Sequence, residues 1–121
     1  KIAKAKKLGR DFVELWGDGT PSRDFLYCDD ASKGLILAAE KYDNTEPLNL
    51  GSGEETSIKN LAEIIMKLMN VNLEIRWNTD MPNGQPRRCV SFEKALQEIG
   101  FKPKTSLEEG LKKTIEWFNS Q

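Results

Sequence analysis

The chain has 121 residues, which is the usual size of one domain with a single, modest core. Its 38% hydrophobic and 31% charged residues, with a net charge of −1, exclude a disordered chain and a chain drawn to nucleic acid or membrane by bulk charge. The absence of histidine excludes imidazole metal ligation and histidine acid–base catalysis.

The two cysteines, Cys28 and Cys89, lie far apart without metal-type spacing, so neither a disulfide framework nor a zinc site is expected. No signal peptide and no apolar run long enough to span a bilayer is found, which predicts a cytoplasmic protein.

Residues 1–9 predict a helix that stops at Gly9, and the lack of a capping residue before it suggests truncation. The basic residues of this segment are typical of a solvated helix end.

An apolar–charged alternation predicts a short strand at Phe12–Trp16, followed by a turn at 17–21 and a second extended piece at Phe25–Tyr27. Trp16 and Arg23 flank the turn. An indole offers a flat stacking face, and a guanidinium offers a planar fork for phosphate or carboxylate. From the residues alone, Trp16 also fits a core position, and Arg23 also fits an ordinary surface position.

Asp29 or Asp30 is predicted to cap a helix running from Ala31 to about Tyr42, because a carboxylate accepts hydrogen bonds from free N–H groups there. A catalytic or metal-binding pair is the weaker interpretation of these aspartates. The predicted buried face of this helix is Ala31, Leu35, Ala38, Ala39 and Tyr42. Residues 48–50 predict a brief strand, and the Gly51-Ser52-Gly53 loop behind it lacks the spacing of a dinucleotide fingerprint.

Further elements follow in order. Ser57 is predicted to start a helix, residues 73–77 form a strand, residues 78–90 are irregular, and Ser91 caps a short helix that ends at Gly100. Ser106 and Glu109 form a capping box before a last helix whose predicted core side is Leu107, Leu111, Ile115 and Phe118. Helices separating short strands indicate an α/β fold in one domain, residues 1–121, with the strand directions left open.

The irregular segment 78–90 is a second candidate site, because binding residues concentrate on loops that a scaffold holds. Asn83 offers a donor and an acceptor, and Arg87 and Arg88 offer charged forks. Two adjacent arginines after a proline are equally typical of a plain surface.

The run W-G-D-G-T-P-S-R-D-F-L-Y-C-D-D at residues 16–30 resembles the nucleotide-sugar-binding segment of the extended short-chain dehydrogenase/reductase family. N-L-G-S-G at 49–53, P-N-G-Q-P-R-R at 82–88 and the closing helix match in the same order. The resemblance covers essentially the whole chain, but only the C-terminal part of the family's enzymes. It implies the small α/β substrate-binding portion of an NAD-dependent sugar-nucleotide epimerase or dehydratase, without the Rossmann domain.

Carried over by this resemblance, Trp16, Arg23 and Asn83 would contact the sugar nucleotide, with Arg87 a weaker candidate for the diphosphate. Two positions depart from the family pattern: Met81 replaces a lysine, and Asn83 replaces an aspartate. The family's Tyr-x-x-x-Lys pair is missing, since Ala31 follows Tyr27 and Glu46 follows Tyr42 at that spacing.

The chain is therefore predicted to hold no catalytic, cofactor-binding or metal-binding residue of its own, whereas the complete family enzyme uses NAD or NADP. Its expected partners are a nucleotide diphosphate sugar, held weakly, and a second copy or a Rossmann domain. The alternative is a stand-alone, non-catalytic domain that binds a ligand or self-associates through a face left apolar.

Overall fold

The structure is a computed structural model that describes residues 1–121. The chain forms five helices and five short strands. The helices are α1 (Ile2–Lys7), α2 (Cys28–Lys41), α3 (Ile58–Leu68), α4 (Glu93–Ile99) and α5 (Leu107–Asn119). The strands are β1 (Phe12–Trp16), β2 (Ser22–Asp24), β3 (Glu55–Ser57), β4 (Glu74–Asn78) and β5 (Arg87–Arg88). This confirms the predicted mixed α/β class.

The first sheet consists of β1 and β4, which run parallel in a register from Phe12 opposite Glu74 to Trp16 opposite Asn78. Both strands were predicted, β4 one residue earlier than observed. Helices α1 and α3 cover this sheet and close a core of Ile2, Ala5, Val13, Ala62, Met69 and Leu73. Parallel strands need a long connection between them, and here β2, α2, β3 and α3 lie between β1 and β4 in the chain.

The second sheet has the order β3-β2-β5, with β2 antiparallel to β3 and parallel to β5. Two predictions were wrong here. The extended piece after the turn is Ser22–Asp24 rather than Phe25–Tyr27, and residues 48–50 form no strand. Leu26, Leu48 and Leu50 instead pack on a second core of Ala95, Ile99 and Phe101. These residues are apolar because they pack on this core. Apolar character alone does not make a strand, since a strand also needs a neighbouring strand to pair with its backbone N–H and C=O groups.

The predicted buried face of helix α2 is right at Ala38 and Tyr42, which pack on this core, and wrong at Leu35 and Ala39. Leu35 is 64% exposed and Ala39 is exposed, while Gly34 is buried and Leu37 and Ala38 pack on the core. Gly34 lets the Phe101 ring approach: a Cβ at Gly34 would lie 2.9 Å from Phe101 Cε2. The apolar residues of α2 surround much of the helix, so their spacing alone did not select the buried side.

The helix ends follow the predicted chemistry at two serines. Ser57 Oγ accepts from Asn60 N at 3.1 Å, and Ser106 with Glu109 forms the predicted capping box. The prediction for α2 was wrong, because Tyr27 is its N-cap and both aspartates lie in the first turn. Phe92, rather than Ser91, is the N-cap of α4. Phe118 is 56% exposed and does not belong to the core side of α5.

None of the helices is long and apolar enough to cross a lipid bilayer.

Candidate functional site

The turn after β1 is held by its own side chains. Asp18 Oδ1 accepts hydrogen bonds from Thr20 N at 2.9 Å and from Thr20 Oγ1 at 2.7 Å. These bonds from Thr20 lower the pKa of Asp18 below its ordinary value. Gly17 and Gly19 have φ of 74° and 78°, a region that glycine adopts readily. The Trp77 ring lies so close to Gly19 that a Cβ there would collide with it.

Asn83 connects the irregular segment 78–90 to this turn. Its Oδ1 accepts from Asp18 N at 2.8 Å and occupies the space that a Cβ on Gly17 would need. The carbonyl end of Asn83 is therefore used for structure. The Asn83 amide also lowers the pKa of Asp18 through a side-chain hydrogen bond, so it faces that carboxylate as well. Its Nδ2 is the donor end of the side chain.

Trp16 ends β1 with its side chain 57% exposed, so it belongs to neither core. Lys1 Nζ lies 5.1 Å from the centroid of its ring. Arg23 in β2 is half-buried and donates from Nη1 to the Ser22 carbonyl oxygen at 2.6 Å. Arg23 Nη2 lies 3.6 Å from the Cβ position of Gly84, which follows Asn83. The structure thus brings Arg23 and Asn83 to the same loop and joins that loop to the residues after Trp16.

Arg87 is placed differently. It is in register with Ser22. Its Nε donates to Glu55 Oε1 at 3.0 Å and to Oε2 at 2.8 Å, and its Nη2 lies 2.8 Å from Oε2 in an ion pair. The Ser22 hydroxyl also donates to Glu55. The bonds from Arg87 and Ser22 lower the pKa of Glu55. Paired residues of neighbouring strands point to the same face of a sheet, and successive residues of one strand point to opposite faces. Arg87 therefore shares a face with Ser22, and Arg23 points to the other face.

The Gly51-Ser52-Gly53 loop does not fit a dinucleotide cradle. Asp24 accepts hydrogen bonds from the N–H groups of Ser52 at 2.9 Å and of Gly53 and Val90 at 3.3 Å. A Cβ at Gly51 would lie 2.6 Å from the Val90 carbonyl oxygen. The N–H groups that would hold a phosphate are occupied, and the space beside Gly51 is filled by the protein itself.

Sequence reasoning missed these structural carboxylates. Asp24 fastens two loops to β2, Glu55 joins β3 to β5, and Asp30 fastens the segment before α5. In each of these hydrogen bonds the carboxylate lies at least 28 residues from its partner, so no local spacing signals the contact.

The family model described as GDP-mannose 4,6 dehydratase matches residues 1–114. Together with the fold and the turn at residues 16–30, this match shows that the chain belongs to the extended short-chain dehydrogenase/reductase family of sugar-nucleotide enzymes. Among curated relatives, a GDP-L-fucose synthase of Sinorhizobium fredii is 45% identical to this chain over 118 residues. The matched region covers 98% of this chain and 37% of the relative. The GDP-L-fucose synthase of Escherichia coli K12 is 35% identical over 115 residues, covering 88% of this chain and 36% of the relative.

Solved structures agree. A GDP-L-fucose synthetase from Naegleria fowleri has a TM-score of 0.89 and 32% identity, covering all of this chain and 37% of its own. The Thermotoga maritima UDP-glucose 4-epimerase, solved with UDP-glucose, has a TM-score of 0.86 and 31% identity, covering 98% of this chain and 38% of its own. The Naegleria enzyme has also been solved bound to NADP. The chain spans little more than a third of these relatives and corresponds to their C-terminal part.

Proposed function

We propose that this chain is the nucleotide-sugar-binding portion of a sugar-nucleotide epimerase, dehydratase or reductase. Trp16 would offer its exposed indole to a ring of the ligand, Arg23 would neutralise the diphosphate, and Asn83 Nδ2 would donate a hydrogen bond. The observation that carries the proposal is the shared loop: Asn83 binds the turn after Trp16, and Gly84 lies beside Arg23. The motif match to the family supports the same three residues.

In this proposal the chain binds and orients the ligand. Arg23 has no carboxylate within ion-pair distance, so its charge is available to an anion, and its partial burial strengthens the attraction. Arg87 is paired with Glu55 and lies on the other face of the second sheet, and the proposal does not rest on it. In a complete enzyme NAD or NADP would supply hydride chemistry. In this proposal, no side chain of the chain transfers a proton or hydride.

A titration tests this proposal. GDP-mannose and UDP-glucose are added to the 121-residue chain while tryptophan fluorescence is followed, and Arg23→Ala is compared with Arg10→Ala. We expect millimolar binding, since much of a buried ligand's surface would face the rest of a complete enzyme. Arg23→Ala should weaken it roughly tenfold or more, the value of a charge-assisted hydrogen bond. Arg10 precedes β1, at the end away from Trp16, and its loss should change little.

The absence of any ligand-dependent fluorescence change at several millimolar, or equal affinity of Arg23→Ala and wild type, would refute the proposed site.

A second candidate function is a non-catalytic domain that self-associates. Trp117 is 63% and Phe118 56% exposed, and they border an apolar groove of about 430 Å³ between α1, α3 and α5. Exposed apolar faces of this kind commonly mediate association. Sedimentation at roughly 50 μM, a concentration that detects micromolar dimers, should then show dimers that Trp117→Lys disrupts. Monomers alone would contradict this candidate.

A further inference from the structure

We propose that Arg88, rather than Arg87, is the second cationic ligand of the diphosphate and that it forms one anion site with Arg23. This inference rests on the function proposed above and names a residue that the family motif did not assign. The juxtaposition that carries it is the register of β2 and β5, which places Arg23 directly beside Arg88.

The register separates the two adjacent arginines of β5. Ser22 pairs with Arg87, and Arg23 pairs with Arg88. Paired residues of adjacent strands point to the same face, and successive residues point to opposite faces. The bond from Ser22 to Glu55, which also binds Arg87, fixes the face of that pair independently. Arg23 and Arg88 therefore share the other face, where Arg23 Nη2 lies beside Gly84.

The two faces of the sheet also differ in whether their arginines are neutralised by a carboxylate. Arg87 is neutralised by Glu55, which accepts from its Nε and forms an ion pair with its Nη2. Neither Arg23 nor Arg88 has a carboxylate within ion-pair distance, and Arg88 makes no side-chain hydrogen bond. Like charges directly beside each other on adjacent strands repel. Such a pair, left without a counter-charge inside the protein, is the arrangement that an anionic ligand stabilises.

The chemistry of the pair fits a diphosphate. Adjacent strands lie about 4.8 Å apart, which lets two guanidinium forks reach neighbouring phosphoryl groups of one ligand. Arg23 is half-buried and bonded to its own strand, whereas Arg88 is exposed and free to turn. Arg23 then acts as the preset contact, and Arg88 closes on the second phosphoryl group.

A matched pair of variants tests this inference. Arg88→Gln and Arg87→Gln remove the same charge from adjacent positions of β5, and both are checked for folding by circular dichroism. Each variant is titrated with GDP-mannose, with pyrophosphate and with guanosine, which has no phosphate. Arg88→Gln should weaken GDP-mannose and pyrophosphate about tenfold and leave guanosine unchanged. Arg87→Gln should bind all three probes like wild type.

Thermal melting gives a further readout that needs no sugar nucleotide. Without anion, Arg88→Gln should melt at the same temperature as wild type or slightly higher, because a repulsive neighbour of Arg23 is gone. Pyrophosphate should raise the melting temperature of wild type more than that of Arg88→Gln.

Equal losses in both variants, or a loss confined to Arg87→Gln, would overturn the assignment to Arg88. If wild type binds pyrophosphate through Arg88 but neither GDP-mannose nor UDP-glucose, the anion site stands and the proposed function falls. If wild type binds none of the phosphate probes, both fall.

Discussion

At the scale of single residues, the carboxylates do most of the long-range joining. Asp30 is the clearest case, because its side chain is 2% exposed yet charged. Burial alone would raise its pKa, but hydrogen bonds from the N–H groups of Lys104 at 2.9 Å and Thr105 at 2.7 Å reverse that effect and lower it. Lys33 adds an ion pair at 3.9 Å. Asp30 thus fastens α2 to the segment that leads into α5.

Replacing Asp30 should therefore cost far more stability than replacing its neighbour. Asp30→Ala leaves two backbone N–H groups without an acceptor and should lower the free energy of unfolding by about 2 kcal/mol. Asp30→Asn keeps one oxygen for both N–H groups and should cost less. Asp29→Ala, at an exposed position of the same turn, should stay within about 0.5 kcal/mol. Urea unfolding measures all three, and equal losses at Asp29 and Asp30 would contradict this role.

The lowered pKa of Asp30 also predicts a pH dependence. A carboxylate whose pKa is lower in the folded state stabilises the fold fully above its unfolded value, near 3.8. That stabilisation is lost as the pH falls below 3.8 through the folded value. Wild type should lose more stability than Asp30→Asn between pH 5 and pH 3, a window set by that ordinary value. Parallel pH curves for the two proteins would show that Asp30 does not titrate as described.

At the scale of elements, the turn after β1 depends on how closely segment 78–90 approaches it. Gly17 and Gly84 both have φ of 74°, so an added methyl group strains both backbones similarly. Their surroundings differ. A Cβ at Gly17 collides with the Asn83 side chain, whereas a Cβ at Gly84 makes an ordinary contact with Arg23 Nη2 at 3.6 Å.

Gly17→Ala and Gly84→Ala should therefore differ in stability despite equal backbone strain. Gly84→Ala should cost about 1 kcal/mol, and Gly17→Ala about 1 to 3 kcal/mol more, because Asn83 must leave its place. Thermal unfolding of the two variants gives the difference. A smaller loss for Gly17→Ala than for Gly84→Ala would show that Asn83 is not held against the turn.

Helix α5 offers a second test at this scale. The Ser106 hydroxyl accepts from Glu109 N at 3.3 Å, and the Glu109 carboxylate accepts from Ser106 N at 3.2 Å. The bonds from Ser106 lower the pKa of Glu109. Ser106→Ala should cost about 1 kcal/mol in the free energy of unfolding, whereas Ser120→Ala at the other end of α5 should cost little. Reversal of that order by chemical denaturation would exclude the capping role.

At the scale of the whole molecule, the chain has two separate hydrophobic cores. One core lies under β1 and β4 and the other beside α2 and α4. Asp24 and Asp30 supply long-range hydrogen bonds around β2 and α2, and Ile115 of α5 packs on the first core. The prediction of one domain therefore depends on these connections.

If residues 1–121 form one domain, circular dichroism and tryptophan fluorescence should report the same unfolding midpoint. Trp16, Trp77 and Trp117 place the fluorescence signal on β1, β4 and α5, whereas circular dichroism reports all the helices. A single coincident transition is the expected result. Two separated midpoints would show that the cores unfold independently.

The sequence by itself determined the features that depend on neighbours along the chain. The alternation at Phe12–Trp16, the serine at the start of α3 and the Ser106 capping box all lie within a few residues of the groups they serve, so their patterns predicted them. The motif at residues 16–30 identified the family for the same reason, since its residues are consecutive.

Only the tertiary structure decided which face each polar side chain occupies. Strands β2 and β5 have three and two residues, too few to show an alternation, and their pairing joins positions about 65 residues apart. A shift of one residue in a strand exchanges its faces. The structure therefore had to show that Arg88, and not Arg87, lies beside Arg23, and that Asp30 binds the segment before α5 rather than capping α2.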